Sequence, residues 1–228
     1  MRIERLHTAA NVATGLAWLA ILGTLYLVFV YVPTERTMGI VQRIFYYHVP
    51  SAMMSFLAFF IVLVASVAYL ITRRRGWDIT AQAAAELGVV FCSIVLITGP
   101  IWAKPIWGAW WTRETRLTLT LLLWLIYVAY LMVCMYVDDP DQQARFSAVL
   151  GILGFLVVPF VYFSVYLWGG MHPKNVLRSG GLEPTMRKVF SFNMLTFLLL
   201  YGVLLTIRFR LGQARQLLDR LKQQQADR

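Results

Sequence analysis

Long apolar runs alternate with short polar segments along almost the whole chain. Each run is close to the roughly 20 residues that an α-helix needs to cross the hydrocarbon core of a bilayer. The pattern predicts an all-α integral membrane protein, a bundle of six transmembrane helices. The predicted spans are residues 12–31, 51–71, 81–99, 117–137, 146–168 and 189–207, and a basic tail follows at residues 208–228.

The composition indicates the same class of protein. Of the 228 residues, 59% are hydrophobic and only 14% are charged, whereas about 25% of the residues in soluble domains are charged. The first span follows Arg2 and Arg5, but it is longer than the apolar region of a typical signal peptide and lacks a small-x-small cleavage site. We therefore predict that this helix is retained and that residues 1–228 form a single membrane domain.

The polar connections between the spans differ in length. Residues 72–80 and 138–145 form short turns, whereas residues 32–50, 100–116 and 169–188 form longer loops. With six spans, the three longer loops must lie on one face of the membrane. His48, a group of tryptophans and His172 fall in these three loops in turn. We therefore predict that the functional site lies on that face.

Basic residues predict the orientation. The face with both termini and the short loops carries the larger share of the 21 lysine and arginine residues, and Arg73, Arg74 and Arg75 occupy one short turn there. Because cytoplasmic loops are enriched in Lys and Arg, we predict cytoplasmic termini, with the long loops in a periplasm or its equivalent. The long-loop face is then extracytoplasmic, and it keeps an excess of positive charge that an anionic ligand would explain.

Several kinds of chemistry have no support in the sequence. Cys92 and Cys134 lie inside apolar spans, not in a C-x-x-C pair, and are predicted to pack as small apolar residues. The sequence has no Gly-rich phosphate loop, nucleophile elbow or H-E-x-x-H motif, and its basic tail is more typical of a lipid-facing helix end than of a nucleic-acid arm. We therefore expect neither an enzyme nor a nucleic-acid-binding protein.

Glu86 is a charged residue inside a predicted span. Intramembrane carboxylates often belong to proton or solute pathways. Glu86 lies near the cytoplasmic end of its span, however, and the other predicted spans contain no acids that could form a relay. A structural bond to a neighbouring helix, or a carboxylate that snorkels to the headgroup level, is therefore the favoured interpretation.

Half of the eight tryptophans fall within ten residues. They are Trp102, Trp107, Trp110 and Trp111. A single interfacial tryptophan needs no function, because its ring prefers the headgroup level of a membrane. A dense group that includes Pro105 and Gly108 indicates instead a shaped apolar platform for a flat ligand.

Two histidines flank predicted spans on the long-loop face: His48 three residues before one span, and His172 four residues after another. Two imidazoles held at helix ends, with aromatic rings between them, meet the needs of a six-coordinate haem iron. Arg43, Arg116 and Lys104 are the nearest cations for the haem propionates. Interfacial histidines that serve only as polar helix ends are the alternative.

Two other classes of function remain open for the protein as a whole. They are a membrane electron-transfer cytochrome and a solute permease.

Three segments carry a resemblance to a known family: Tyr47-His48-Val-Pro-Ser-Ala, the stretch from Gly99 to Trp111, and Arg116-Leu-Thr. They resemble the tryptophan-rich signature of the haem-handling membrane proteins of cytochrome c maturation. The length and the six spans make the chain most similar to the cytochrome c maturation protein C family, also called haem exporter protein C. The resemblance implies transient binding of b-type haem on the extracytoplasmic face and its delivery to a periplasmic haem chaperone, cytochrome c maturation protein E.

The resemblance also implies ligands and partners. His48 and His172 are then the axial ligands of the haem iron, and the four tryptophans form the surface that faces the haem and the chaperone. The implied partners are the ABC transporter subunits (maturation proteins A and B), a small single-span subunit (maturation protein D) and the lipid bilayer. The chain departs from the family at Arg113 and Glu114, where a Trp-Asp pair is usual.

Overall fold

The computed structural model describes residues 2–172 and 182–226. Its α-helices, numbered in chain order, are α1 (Arg2–Tyr26), α2 (Phe45–Thr72), α3 (Arg75–Trp107), α4 (Thr115–Tyr136), α5 (Pro140–Phe155), α6 (Val157–Leu167) and α7 (Pro184–Ala226). Six stretches are long and apolar enough to cross a membrane: Ala10–Tyr31, Ile40–Thr72, Arg75–Trp107, Thr115–Tyr136, Pro140–Leu167 and Pro184–Asp219. The predicted all-α class and the number of membrane-crossing segments are confirmed.

Some helices extend beyond the predicted spans. Helix α2 begins at Phe45, so His48 lies in its first turn and not in a loop before it. Helix α3 runs on to Trp107 through two prolines, although the second long loop was predicted to start at Pro100. A membrane helix tolerates such prolines because other groups can bond the freed carbonyls. Trp102 and Trp107 are therefore helical residues, and only residues 108–114 connect α3 to α4.

The fifth predicted span is divided into two helices. Helix α5 ends at Phe155 and α6 begins at Val157. Pro159 has no N–H to donate to the Phe155 carbonyl four residues earlier, and its ring crowds that carbonyl. Helix α5 starts at a well-formed cap, because the Asp139 carboxylate accepts a hydrogen bond from the Gln142 N–H at 2.7 Å. Residues 173–181 of the third predicted long loop lie outside the described residues, as do residues 227–228 of the predicted tail.

Helices α2 and α3 pack closely against each other in the centre of the bundle. A Cβ atom added at Gly88 of α3 would overlap the ring of Phe59 in α2, so glycine is required for this approach. The Phe59 ring stacks in turn on Tyr127 of α4 with a centroid separation of 3.8 Å. Because close-packed interiors resist displacement, this contact fixes the middle of α2 relative to the middle of α3.

Ion pairs hold the opposite end of the bundle. Arg75 pairs with Asp141 at 2.8 Å and with Asp78 at 3.6 Å. Glu86 of α3 pairs with Arg208 of α7, which confirms the predicted structural bond between Glu86 and a neighbouring helix. A cavity of about 530 Å³ lies between these charged residues, and none of the predicted haem residues lines it.

Candidate functional site

His48 lies in the first turn of α2 and is almost completely buried, with 9% of its surface exposed. Its Nδ1 atom is 2.9 Å from the Thr98 hydroxyl of α3. That hydroxyl donates its single proton to the Ile94 carbonyl at 2.6 Å. The hydroxyl oxygen therefore accepts a hydrogen bond from the N–H at His48 Nδ1. This leaves Nε2 of His48 unprotonated, with its lone pair available to a metal.

The turn that carries His48 is anchored by a second helix. Pro50 has no N–H, so the Tyr46 carbonyl four residues earlier has no intrahelical partner. The buried side-chain amide of Asn193 in α7 donates a hydrogen bond to that carbonyl. The Phe45 and Phe190 rings lie 4.8 Å apart beside it. These contacts fix the backbone from which the His48 side chain projects.

His172 follows α6 and is held by Glu114, the residue just before α4. Its backbone N–H donates to Glu114 Oε1 at 3.0 Å, and its Nδ1 lies 3.0 Å from Glu114 Oε2. A carboxylate only accepts hydrogen bonds, so Nδ1 of His172 carries the proton. The Nε2 atom of His172 is then unprotonated, as it is in His48.

Gly170 makes the contact between His172 and Glu114 possible. Its φ of 137° is a conformation that residues with a side chain rarely adopt. A Cβ atom at this position would also overlap Glu114 Oε1. The chain therefore needs glycine here to turn back from α6 and reach the carboxylate.

The electrostatic surroundings favour a neutral His172. Burial is the main effect and lowers the pKa of His172 below its ordinary value, and the charge of Arg116 acts in the same direction. The hydrogen bond to Glu114 works in the opposite direction. The two histidine rings contact Trp102 and Trp107, which lie five residues apart near the end of α3. The structure thus brings both predicted ligand histidines to one end of the bundle.

The four tryptophans fall into two groups with different surroundings. Trp102 meets the His48 ring edge-on with a centroid distance of 5.6 Å, and Trp107 lies 5.5 Å from the His172 ring at a tilt of 57°. Trp110 and Trp111 follow α3 and are exposed, at 58% and 36%. The predicted platform therefore has two rings against the histidines and two rings that face outward.

The three predicted propionate-binding cations each donate to a backbone carbonyl. Arg43 donates to Phe29 at 2.8 Å, Arg116 to Tyr162 at 2.8 Å and Lys104 to Gly108 at 2.9 Å. The buried Nε atoms of Arg43 and Arg116 have no hydrogen-bond partner among the described residues. Because a guanidinium has five N–H donors, both arginines keep donors for an anion.

The comparison with known proteins identifies the family of the chain. A family model described as heme exporter protein C matches residues 3–227. The chain belongs to the heme exporter protein C family. Proteins named heme exporter protein C include one of Escherichia coli K12, 31% identical over 85% of this chain and 81% of its own length. Another, of Paracoccus denitrificans, is 35% identical over 89% and 81%. A third, of Bradyrhizobium diazoefficiens, is 37% identical over 65% of this chain but only 57% of its own length.

Two polar residues at the site of this heme exporter protein C family member were not predicted as site residues. Thr98 lies in an apolar run, and its only local signal is its place one helical turn before Trp102. Glu114 is visible in the sequence as a longer acid at the usual Asp position of the motif. Its pairing with His172 depends on the turn at Gly170, which no sequence pattern predicts.

Proposed function

We propose that this protein binds haem on the extracytoplasmic face of the bacterial inner membrane and delivers it to a periplasmic haem chaperone. One observation carries the proposal: His48 and His172 contact Trp102 and Trp107 near the same end of α3, and the Nδ1 of each lies about 3 Å from a hydrogen-bond acceptor. These contacts assign the proton to Nδ1 and the lone pair to Nε2. Neutral imidazoles in this tautomer suit the two axial positions of a haem iron. The names of the relatives support haem as the cargo.

The surroundings of the two histidines fit the rest of a haem molecule. Trp102 and Trp107 offer aromatic surface beside the ligands, and Arg43, Arg116 and Lys104 offer charge for the propionates. The haem is b-type and is held only transiently, because it is cargo. Delivery is to cytochrome c maturation protein E, and the exposed Trp110 and Trp111 form the surface that the chaperone meets.

The further partners follow from the family. We propose that the protein works beside an ABC transporter pair, maturation proteins A and B, and a small single-span subunit, maturation protein D. In this arrangement both termini and the residue 208–228 tail lie in the cytoplasm. The basic turn from Arg73 to Arg75 supports this orientation.

Haem transfer tests the proposed function. Purified, haem-loaded protein is mixed with the purified chaperone, and the haem spectrum of each separated protein is measured. Trp107→Ala and Trp110→Ala should leave the remaining haem low-spin but reduce its amount or its transfer roughly two- to tenfold, because an aromatic pair contributes about 0.5–1.5 kcal/mol beyond buried area. Trp18→Ala, on the exposed face of α1, is the matched control. No transfer by the unsubstituted protein would contradict the proposal.

Cysteine labelling tests the orientation. In a protein whose Cys92 and Cys134 are replaced by alanine, single cysteines are introduced at Arg36 and Lys104 on one side and at Asp141 and Gln213 on the other. We expect an impermeant maleimide to label the first pair in intact cells and the second pair only after permeabilisation. Labelling of all four sites in intact cells, or the reverse pattern, would contradict cytoplasmic termini.

Removing the two arginines tests propionate binding. The double variant Arg43→Ala/Arg116→Ala should bind haem at least about tenfold more weakly, because hydrogen bonds to charged groups contribute about 1.5–3 kcal/mol each. The spectrum of the remaining haem should stay six-coordinate. Arg36→Ala, which removes an exposed guanidinium from the same side, is the control. Unchanged occupancy in the double variant would remove propionate binding from the proposal.

A further inference from the structure

The two histidines are held by acceptors of different charge. The Nδ1–H of His172 meets the Glu114 carboxylate, whose side chain is only 8% exposed. The Nδ1–H of His48 meets the neutral hydroxyl of Thr98. The distances are similar, 3.0 and 2.9 Å, so the difference lies in the charge of the acceptor.

The charge of the acceptor affects the metal-binding atom of the same ring. A carboxylate that accepts the N–H of a metal-bound histidine raises the basicity of the ligating nitrogen and fixes the ring orientation. Charge-assisted hydrogen bonds are also roughly twice as strong as neutral ones, and low exposure increases the electrostatic effect. A neutral hydroxyl fixes the ring in the same way but donates much less electron density.

We propose that Glu114 is a positioning residue whose negative charge makes His172 the stronger haem ligand and leaves His48 as the ligand that is exchanged more readily. This inference rests on the proposed function. When an incoming ligand replaces His48, the lone pair of that ligand forms the new bond to iron as the bond from His48 Nε2 breaks. The exchange transfers no electron. In this arrangement His172 holds the haem iron firmly, and the bond to His48 is the one that breaks first on release.

Haem-loss rates of single-ligand proteins test the proposal. Haem is loaded into His48→Ala, which keeps His172, and into His172→Ala, which keeps His48. Its loss to excess apomyoglobin is then followed by absorbance. We expect His48→Ala to lose haem roughly tenfold more slowly, in line with the usual 10–100-fold effect of an outer hydrogen-bond partner. Adding Glu114→Gln to both proteins should abolish the difference, whereas adding Thr98→Val should not narrow it.

The midpoint potential of haem in proteins with both histidines gives a second test, which does not depend on single-ligand binding. Glu114→Gln keeps the length of the side chain but loses the charge, and should shift the potential to a more positive value. Glu114→Asp keeps the charge and should restore a potential near that of the unsubstituted protein. A purely structural role predicts the reverse order, because Asp shortens the side chain and Gln does not.

The results distinguish this inference from the proposed function. Equal haem-loss rates in the two single-ligand proteins, or a potential that Glu114→Gln does not change, would overturn the role of Glu114 while haem binding stands. If the unsubstituted protein takes up no six-coordinate haem, the proposed function itself fails and the inference fails with it. If Glu114→Gln does not fold, Glu114→Asp is compared with Thr98→Val in the same two assays. Values of Glu114→Asp near those of the unsubstituted protein support the role of the charge, and values far from them overturn it.

Discussion

Alanine at either His48 or His172 is expected to abolish six-coordinate, low-spin haem in the purified protein. Each substitution removes one iron–nitrogen bond, and neither Thr98 nor Glu114 offers a nitrogen to replace it. The ultraviolet–visible spectrum of the haem-loaded protein should therefore change to a five-coordinate form, or the protein should contain little haem. This is among the largest effects that we expect from any single substitution in the chain.

His7→Ala in helix α1 is the matched control, because it removes an imidazole from another part of the chain. It should change neither the spectrum nor the haem content. A wild-type spectrum at wild-type occupancy in either His48→Ala or His172→Ala would show that the bis-histidine site is wrong. The tryptophan group would then be an interfacial belt or a protein-docking surface.

The fold could be predicted largely from hydrophobicity, because a bilayer requires long apolar helices and the chain has six long apolar runs. The helix ends could not be predicted in the same way. Helix α2 starts six residues before its predicted span, at Phe45, and α3 continues through Pro100 and Pro105 to Trp107. Both extensions contain aromatic or proline residues whose conformation depends on neighbouring helices.

The site could be predicted only in part. His48 and His172 were predicted as ligands because each flanks a predicted span on the same face as the tryptophan group. Their hydrogen-bond partners, Thr98 and Glu114, are 50 and 58 residues away in sequence. Such pairs depend on how α3 packs against α2 and on the turn after α6, and a single sequence contains no record of either.

One further contact shows the same limit. Pro50 inside α2 implies a carbonyl without its intrahelical partner. Tyr46 and Pro50 were predicted to lie in a loop, so the need of the Tyr46 carbonyl for a donor follows only from the observed start of α2 at Phe45. The donor is Asn193, 147 residues later in α7. Both the requirement and the residue that meets it therefore depend on the folded structure.

The arginines have a structural role that the sequence did not show. Arg43 and Arg116 were predicted from charge alone as propionate partners, and each also binds a backbone carbonyl near the histidines. Arg43 bonds Phe29 in the π-helical turn Leu27–Tyr31, and Arg116 bonds Tyr162 in α6. These bonds place the guanidinium groups before any anion arrives, which reduces the ordering entropy that binding costs.

Gly170→Ala is expected to lower haem affinity as strongly as the loss of Glu114, the hydrogen-bond partner of His172. The new Cβ atom would overlap Glu114 Oε1, and the φ of 137° would add strain on the order of 1–3 kcal/mol. The segment should relax by moving His172 away from the carboxylate, which breaks both hydrogen bonds to Glu114. Haem affinity should therefore fall roughly 10–100-fold, as measured by haem titration.

Gly202→Ala in α7 is the matched control for Gly170→Ala, because a Cβ atom there would meet no heavy atom of the described residues within 4 Å beyond the adjoining backbone of its own helix. It should leave haem affinity unchanged and stabilise the helix by up to about 1 kcal/mol. The melting temperature of both variants in detergent separates a local effect from general unfolding. If Gly170→Ala folds normally and binds haem as tightly as the unsubstituted protein, the contact between His172 and Glu114 does not determine how haem is held.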